Sequence, residues 1–502
     1  MEETIGNDTG GSLKPRLIIV SNRLPVVLNR EKDGNWSAVP GSGGLVTALA
    51  PVLRNRGGLW IGWPGTVEAS GRELEEALAD ATRHSGFTLK PVGLSAEERD
   101  KYYFGLANQI IWPLFHDLFT SCSFDPGYWS SYQEVNRKFA GVVKDHLDGN
   151  YIWVHDYHLM GVAQELRGLG LKEDIGFFLH TPFPPLDIFM KLPWRFQILR
   201  SLLSYDLIGF QTLRDRRNFI QCVRTLSRET SVRGKGQVIA LRFGDRDVRV
   251  GAFPISIHFK EFADLASTKE VKEHAWHIRS HLANVQIILG IDRLDYTKGI
   301  LERLNAFRNA LLRYPQLQER VVFIQVVVPS RRQIPEYQDL KTEIERLVSE
   351  INGQFTRSGW VPIHYMFRSL DRDELVAYYR TAEIALITPL KDGMNLIAKE
   401  YCASSLEENC VLILSEFAGA VAQLQKGALP VNPYDEEGVA DTIYKAVTMP
   451  MEERGQRMRK LRASIRKHDI YWWVNSFLEA AIAKRLNNFP VVEDYLPQIE
   501  LG

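Results

Sequence analysis

The chain has 502 residues, 45% of them hydrophobic, and its 61 Lys and Arg balance its 61 Asp and Glu. That length exceeds what one hydrophobic core usually organises and points to two or three domains with a cleft between them. Zero formal charge excludes a global attraction to nucleic acid or to an anionic membrane, so any phosphate must be recognised by local clusters of Arg and Lys.

The N-terminal stretch MEETIGNDTGGSLKP is polar and Gly-rich and has no apolar segment suited to a signal peptide or anchor; residues 1–14 are expected to be a disordered tail. No run approaches the roughly 18 apolar residues of a membrane span. Cys122, Cys222, Cys402 and Cys410 form neither a C-x-x-C pair nor a disulfide-like spacing and read as buried thiols of a reducing compartment. The expectation is a cytoplasmic protein without a membrane or nucleic-acid partner.

Short apolar, β-branched runs then alternate with amphipathic stretches, the pattern of open parallel sheets covered by helices. The first series is RLIIVS (16–21), LWIGW (59–63), YIWV (151–154), IGFFLH (175–180) and LIGFQ (207–211). A hairpin is predicted between about 237 and 255, with Asp245-Arg246-Asp247 at its turn. The second series is VQIILGI (285–291), VVFIQVVV (321–328), IHYMF (363–367), IALIT (384–388) and VLILS (411–415). Two doubly wound α/β domains follow, divided near Pro254–Phe259, and a last amphipathic segment near 471–486 carries Trp472, Trp473 and Phe477.

Ligands of open α/β sheets collect beyond the carboxyl ends of the strands, and residues suited to anions recur there. Arg23 follows the first strand, and Gly41-Ser42-Gly43-Gly44 lies some twenty residues on. A guanidinium can fork onto a phosphate, and a glycine loop lets backbone N–H groups approach an anion. Taken alone, GSGG reads first as a flexible surface loop. His155, Asp156 and His158 follow the third strand and His180 the fourth; they can orient sugar hydroxyls, or be hydrogen-bonded core residues, and HDYH lacks the spacing of a zinc site. Asp292-Arg293-Leu294-Asp295-Tyr296-Thr297-Lys298-Gly299 places two cations and a glycine before a helix starting near Ile300, an arrangement suited to a diphosphate but not a Walker loop. Pairing of these cations with Asp292 and Asp295 is the alternative. Arg331 and Arg332 follow the next strand. Asp392, Asn395 and Leu396 precede a helix that contains Glu400, which can accept a ribose diol.

In this order the motifs SNRLPV, GSGGLVTAL, LWIGWPG, IIWPLFH, WVHDYHLM, IGFFLHTPFP, DLIGFQT, DRLDYTKG, VPSRR, KDGMNLIAKEY and LSEFAGA resemble the trehalose-6-phosphate synthases of glycosyltransferase family 20. The resemblance covers residues 16–480 and implies a GT-B fold, two Rossmann-like domains facing a cleft. It implies residues 15–258 as an acceptor domain, 259–470 as a nucleotide-sugar domain and 471–502 as a helical segment returning to the first. It further implies retaining, metal-independent transfer of glucose from a nucleotide diphosphate glucose, usually UDP-glucose, to glucose 6-phosphate, without a cofactor. Homo-oligomerisation is left open. Carried over by position, Arg293 and Lys298 hold the donor diphosphate, Gly44, Asn395 and Leu396 approach it, Asp392 contacts the donor glucose and Glu400 the ribose. Arg23, Tyr103, Trp112, Asp156 and Arg331 bind the acceptor, and Asp156 and His180 meet the reacting centre. With no carboxylate nucleophile evident, a same-face substitution is implied, with the cations stabilising the leaving group. The segment FGLANQII between Tyr103 and Trp112 departs from the family's usual NGFSN-like residues, which leaves glycerol 3-phosphate or a cyclitol phosphate as alternative acceptors. Because fold alone does not fix activity, a silent sugar-phosphate sensor is the alternative role.

Overall fold

The computed structural model describes residues 17–31, 35–41, 44–68, 71–228, 230–331, 334–483, 489 and 492–497. The predicted tail, Ser42, Gly43 and Arg332 lie outside them. The strands of the first half are β1 (Leu17–Arg23), β2 (Val26–Arg30), β3 (Trp36–Pro40), β4 (Gly58–Trp63), β5 (Thr88–Pro91), β6 (Tyr151–His155), β7 (Ile175–Phe178), β8 (Leu207–Phe210), β9 (Thr230–Arg233), β10 (Val238–Phe243) and β11 (Arg246–Ala252). Those of the second half are β12 (Gln286–Arg293), β13 (Val321–Val328), β14 (Ile363–Met366), β15 (Ile384–Ile387), β16 (Val411–Ser415) and β17 (Leu429–Val431).

Two large sheets result, besides the two-stranded sheet β2-β3. The first has nine strands in the order β5-β4-β1-β6-β7-β8-β11-β10-β9, parallel except for the antiparallel β9-β10-β11 edge. The second has six parallel strands, β14-β13-β12-β15-β16-β17. Continuous apolar runs such as VVFIQVVV are buried almost throughout because helices cover both faces of a parallel sheet. The hairpin turn falls at Gly244 and Asp245, with Arg246 already in β11.

Several strands escape a reading by hydrophobic runs. The pair β2-β3 and the edge strand β9 are only partly buried, and β5 and β17 are short strands that contain proline, which suits a sheet edge. Three cysteines are buried, but Cys122 is only partly so.

The chain crosses between the two sheets twice. Residues 253–258 lead from β11 into the helix Phe259–Ala266. Later, Asp469 caps the helix Ile470–Ile482 by accepting from Trp472 N–H. That final helix lies on the first sheet, with Phe477 stacked on Trp153 at 4.3 Å and Trp473 5.0 Å from the same ring. The crossings touch, since Ile470 N–H donates to the Ile257 carbonyl at 3.0 Å. Among the described residues no helix is long and apolar enough to cross a membrane.

Candidate functional site

The carboxyl end of β12 carries Asp292 and Arg293. A short turn, Tyr296–Lys298, then reaches Gly299, whose left-handed φ of 62° lets the helix Ile300–Arg313 start at once. Asp295 fixes the turn by accepting from Thr297 N–H at 3.0 Å and from its hydroxyl at 2.9 Å. Lys298 donates to Asp392 Oδ2 at 2.7 Å, and Asn395 Nδ2 reaches the same oxygen at 3.3 Å. Asn395 also caps the helix Leu396–Ser404, its Oδ1 accepting from Ala398 N–H at 3.1 Å. Two helix N-termini and a buried amine therefore converge, the composition of an anion site. Burial alone would raise the Asp392 carboxyl, but the Lys298 ammonium holds it below the ordinary carboxylate range. The alternative pairing within 292–298 is not what forms: Lys298 pairs with Asp392, and Asp292 with Arg303.

Arg23 and Arg331 are held differently. The Arg23 guanidinium lies 4.2 Å from the Trp63 ring centroid and 5.4 Å from that of Tyr103. Arg331, at a left-handed φ of 46°, lies 4.3 Å over Trp112, donates to Tyr337 Oη at 2.5 Å and stays 3.7 Å from Asp295. Burial would raise the Tyr103 phenol, but Arg331, Arg23 and Arg293 together bring it below its ordinary value, so all three cations lie within electrostatic reach of Tyr103. The Trp112 indole N–H is buried without a partner, a donor free for a ligand.

Asp156 follows β6 at a φ of 72°. Its Oδ1 accepts from His180 N–H at 3.2 Å. Burial raises its carboxyl to about 6, although backbone N–H groups and Arg293 oppose the shift. The His180 ring sits between His155 Nδ1 at 3.1 Å and Gln211 Nε2 at 3.5 Å, and burial lowers it to about 3. His155 and His158 are buried too, His158 stacking on Tyr157 at 3.9 Å and lowered to about 3, so all three imidazoles are neutral near pH 7.

The two halves meet across this site. A Cβ on Gly393 would stand 2.0 Å from the His180 carbonyl oxygen, and one on Gly44 would stand 2.6 Å from Leu396 Cδ1. At Gly393 the neighbour is backbone and only glycine permits the approach, whereas at Gly44 it is the end of the flexible Leu396 side chain. Lys391 and Asp117 add an ion pair across the gap. Glu400 accepts from Tyr379 Oη at 2.9 Å, deeper along the Leu396–Ser404 helix. A cavity of 1010 Å³ opens to one side between Val26, Arg54, His84 and Arg372; none of Arg293, Lys298, Asp392 or Arg331 lines it. Among the described residues no three of His, Cys, Asp or Glu gather as metal ligands would.

Residues 15–483 match the sequence profile of glycosyltransferase family 20. The chain belongs to that family. A trehalose-6-phosphate synthase of Mycolicibacterium vanbaalenii is 42% identical over 473 residues, 93% of this chain and 96% of the relative. An alpha,alpha-trehalose-phosphate synthase (UDP-forming) from Burkholderia xenovorans, solved in complex with glucose-6-phosphate, superposes with a TM-score of 0.84 at 34% identity, over 93% of this chain and all of that one. An E. coli structure bound with UDP-2-fluoro glucose gives 0.82 at 35% identity, over 93% and 99% of the two chains. The fold is GT-B, with two Rossmann-like units facing a cleft.

Behind the candidate site of this family 20 chain lie residues that motif reading passed over. Arg303 is wholly buried and bonds Asp292 Oδ2 at 2.5 Å, Thr388 Oγ1 at 3.0 Å, Gln325 Oε1 at 3.2 Å and the Lys298 carbonyl at 3.1 Å, tying the ends of β12 and β15 and the middle of β13 to the Lys298 turn. The available signal was an arginine on the apolar face of a helix, in line with Ile300 and Phe307. His116, lowered to about 4 chiefly by burial, feels the charges of Lys298, Asp295 and Asp392. Lys399 is buried beside Glu400 and is lowered to about 7.

Proposed function

We propose that the chain transfers glucose with retention from UDP-glucose to glucose 6-phosphate, giving trehalose 6-phosphate and UDP. The observation that carries this reading is the pair of phosphate-capable sites facing each other across one closed gap. On one side stand Arg293, Lys298 and the N-termini of Ile300–Arg313 and Leu396–Ser404; on the other stand Arg23 and Arg331 with the free Trp112 N–H. A relative solved with glucose-6-phosphate and another with UDP-2-fluoro glucose support the same pair of substrates.

In this reading residues 15–258 supply the acceptor side, 259–470 supply the donor side, and the segment from 471 returns to the first unit. Arg293 and Lys298 hold the diphosphate and offset the charge that develops on its oxygen as the glycosidic bond lengthens. Gly44, Asn395 and Leu396 lie against that group, Asp392 takes donor hydroxyls and Glu400 takes the ribose. Arg331 and Arg23 grip the acceptor phosphate, and Tyr103 and Trp112 shape its pocket. Asp156 and His180 frame the anomeric carbon and the attacking hydroxyl. That hydroxyl passes its proton to the departing phosphate oxygen on the same face, and closure of the halves keeps water from taking its place. We place the enzyme in the cytoplasm, where both phosphorylated substrates are at hand.

Purified protein incubated with UDP-glucose and glucose 6-phosphate is expected to release UDP and trehalose 6-phosphate together. Absence of UDP release with any nucleotide diphosphate glucose would overturn the reading. Release that depends on glycerol 3-phosphate instead would overturn the acceptor.

A further inference from the structure

The first crossing between the halves is gripped on both flanks of one residue. Ile255 is buried, its N–H donates to Gln211 Oε1 at 2.9 Å, and its carbonyl accepts from Lys399 Nζ at 2.7 Å. Gln211 follows β8 in the first half, whereas Lys399 belongs to the donor-side helix of the second. The two peptide planes that meet at Ile255 Cα are thus each fastened to a different half. Rotation about Ile255 φ and ψ is then the local motion through which the halves can turn while both bonds persist.

Each fastening also reaches a substrate wall. The Gln211 oxygen is taken by the Ile255 N–H, so its amide NH₂ group faces His180 Nδ1 at 3.5 Å. Nδ1 is therefore the acceptor, the imidazole proton sits on Nε2, and that proton points to His155 Nδ1 at 3.1 Å. On the other side, Lys399 is anchored at 2.7 Å to Gln423 Oε1 and is next in sequence to Glu400, four residues into the helix that Asn395 caps. A buried amine with two acceptors and a buried amide with both ends engaged are costly to disturb, which suits them to hold a geometry.

We propose that Lys399 and Gln211 are positioning residues which, through the Ile255 peptide, set the donor helix and the His180 wall in register when the cleft closes. Both side chains are buried behind the cleft wall. This inference rests on the proposed transfer for its activity readout, and the donor diphosphate contacts of Arg293 and Lys298 lie outside it. Loss of the fastening therefore weakens turnover and leaves binding of UDP alone nearly unchanged. Because both residues act through one peptide, their effects are not independent.

The test is a double-mutant cycle of Lys399→Met and Gln211→Leu in the full chain, reading kcat, the Kd for UDP by calorimetry and the unfolding temperature. Each single variant is expected to lower kcat about tenfold with the UDP Kd within about twofold of wild type, and the double variant to be no slower than the slower single one. Wild-type kcat in either single variant, or losses that multiply in the double variant, would overturn the proposal. If Lys399→Met does not fold, Gln423→Leu, which frees Nζ from its anchor, replaces it in the cycle with the same two outcomes. An inactive wild-type protein would instead sink the transfer reaction, so the two failures are distinct.

Discussion

The two sides of the cleft hold their cations by different means. On the donor side, Lys298 and Arg303 are buried and paired to carboxylates, at 2.7 Å to Asp392 and 2.5 Å to Asp292. On the proposed acceptor side, Arg23 and Arg331 rest on the faces of Trp63 and Trp112, and Arg331 keeps its carboxylate, Asp295, at the longer distance of 3.7 Å. A carboxylate partner fixes an ammonium but competes with an incoming anion. An aromatic face orients a guanidinium and leaves its N–H edge open. In the proposed transfer, the first arrangement suits a charge that grows during reaction, and the second a phosphate dianion already present on arrival.

That contrast breaks first at Lys298. Lys298→Ala and Arg293→Ala are each expected to lower kcat about 100- to 1000-fold, as loss of a group aimed at developing charge does, with the circular dichroism spectrum unchanged. Turnover within a few-fold of wild type in both would show that the leaving phosphate is stabilised elsewhere. Next is Arg331, where removal costs a charge-assisted hydrogen bond to a bound phosphate. Arg331→Ala should raise the KM for glucose 6-phosphate about 10- to 100-fold and leave the KM for UDP-glucose alone. Arg331→Lys should recover little, because an ammonium cannot both lie flat on Trp112 and fork onto phosphate; full recovery would make the ring contact incidental. The smallest effect lies at the seam between the sites. With the Asp156 carboxyl raised to about 6, kcat/KM should fall about tenfold per pH unit below that value as Asp156 takes up a proton and ceases to accept from the acceptor hydroxyl. The same limb persisting in Asp156→Asn would assign it to another group.

Most of the second sheet was legible in the sequence because strands buried on both faces advertise themselves as continuous apolar runs; β13 and β16 begin and end where the runs do. Edge strands such as β5 and β17 have too few residues and too much polar or proline character to give that signal. Most candidate site residues stood out because loops after strand ends gather them into short motifs; Tyr103 and Trp112, in helical segments, follow only from the family resemblance. What escaped was the layer beneath, Arg303, Gln211, Tyr379 and Lys399, whose partners lie in other motifs and whose burial no local pattern reveals. Contacts such as that of Lys298 with Asp392, 94 positions apart, form only once β12 and β15 lie side by side in the second sheet.

The return of the final helix to the first sheet governs the order in which the protein can mature. Trp153 and Phe253 complete their packing only against Trp473 and Phe477. During synthesis one hydrophobic face of the first sheet therefore stays uncovered until the helix Ile470–Ile482 has been made, by which point all six strands of the second sheet precede it in the chain. A chain cut short before that helix would lose its acceptor side first, although every acceptor residue would have been made.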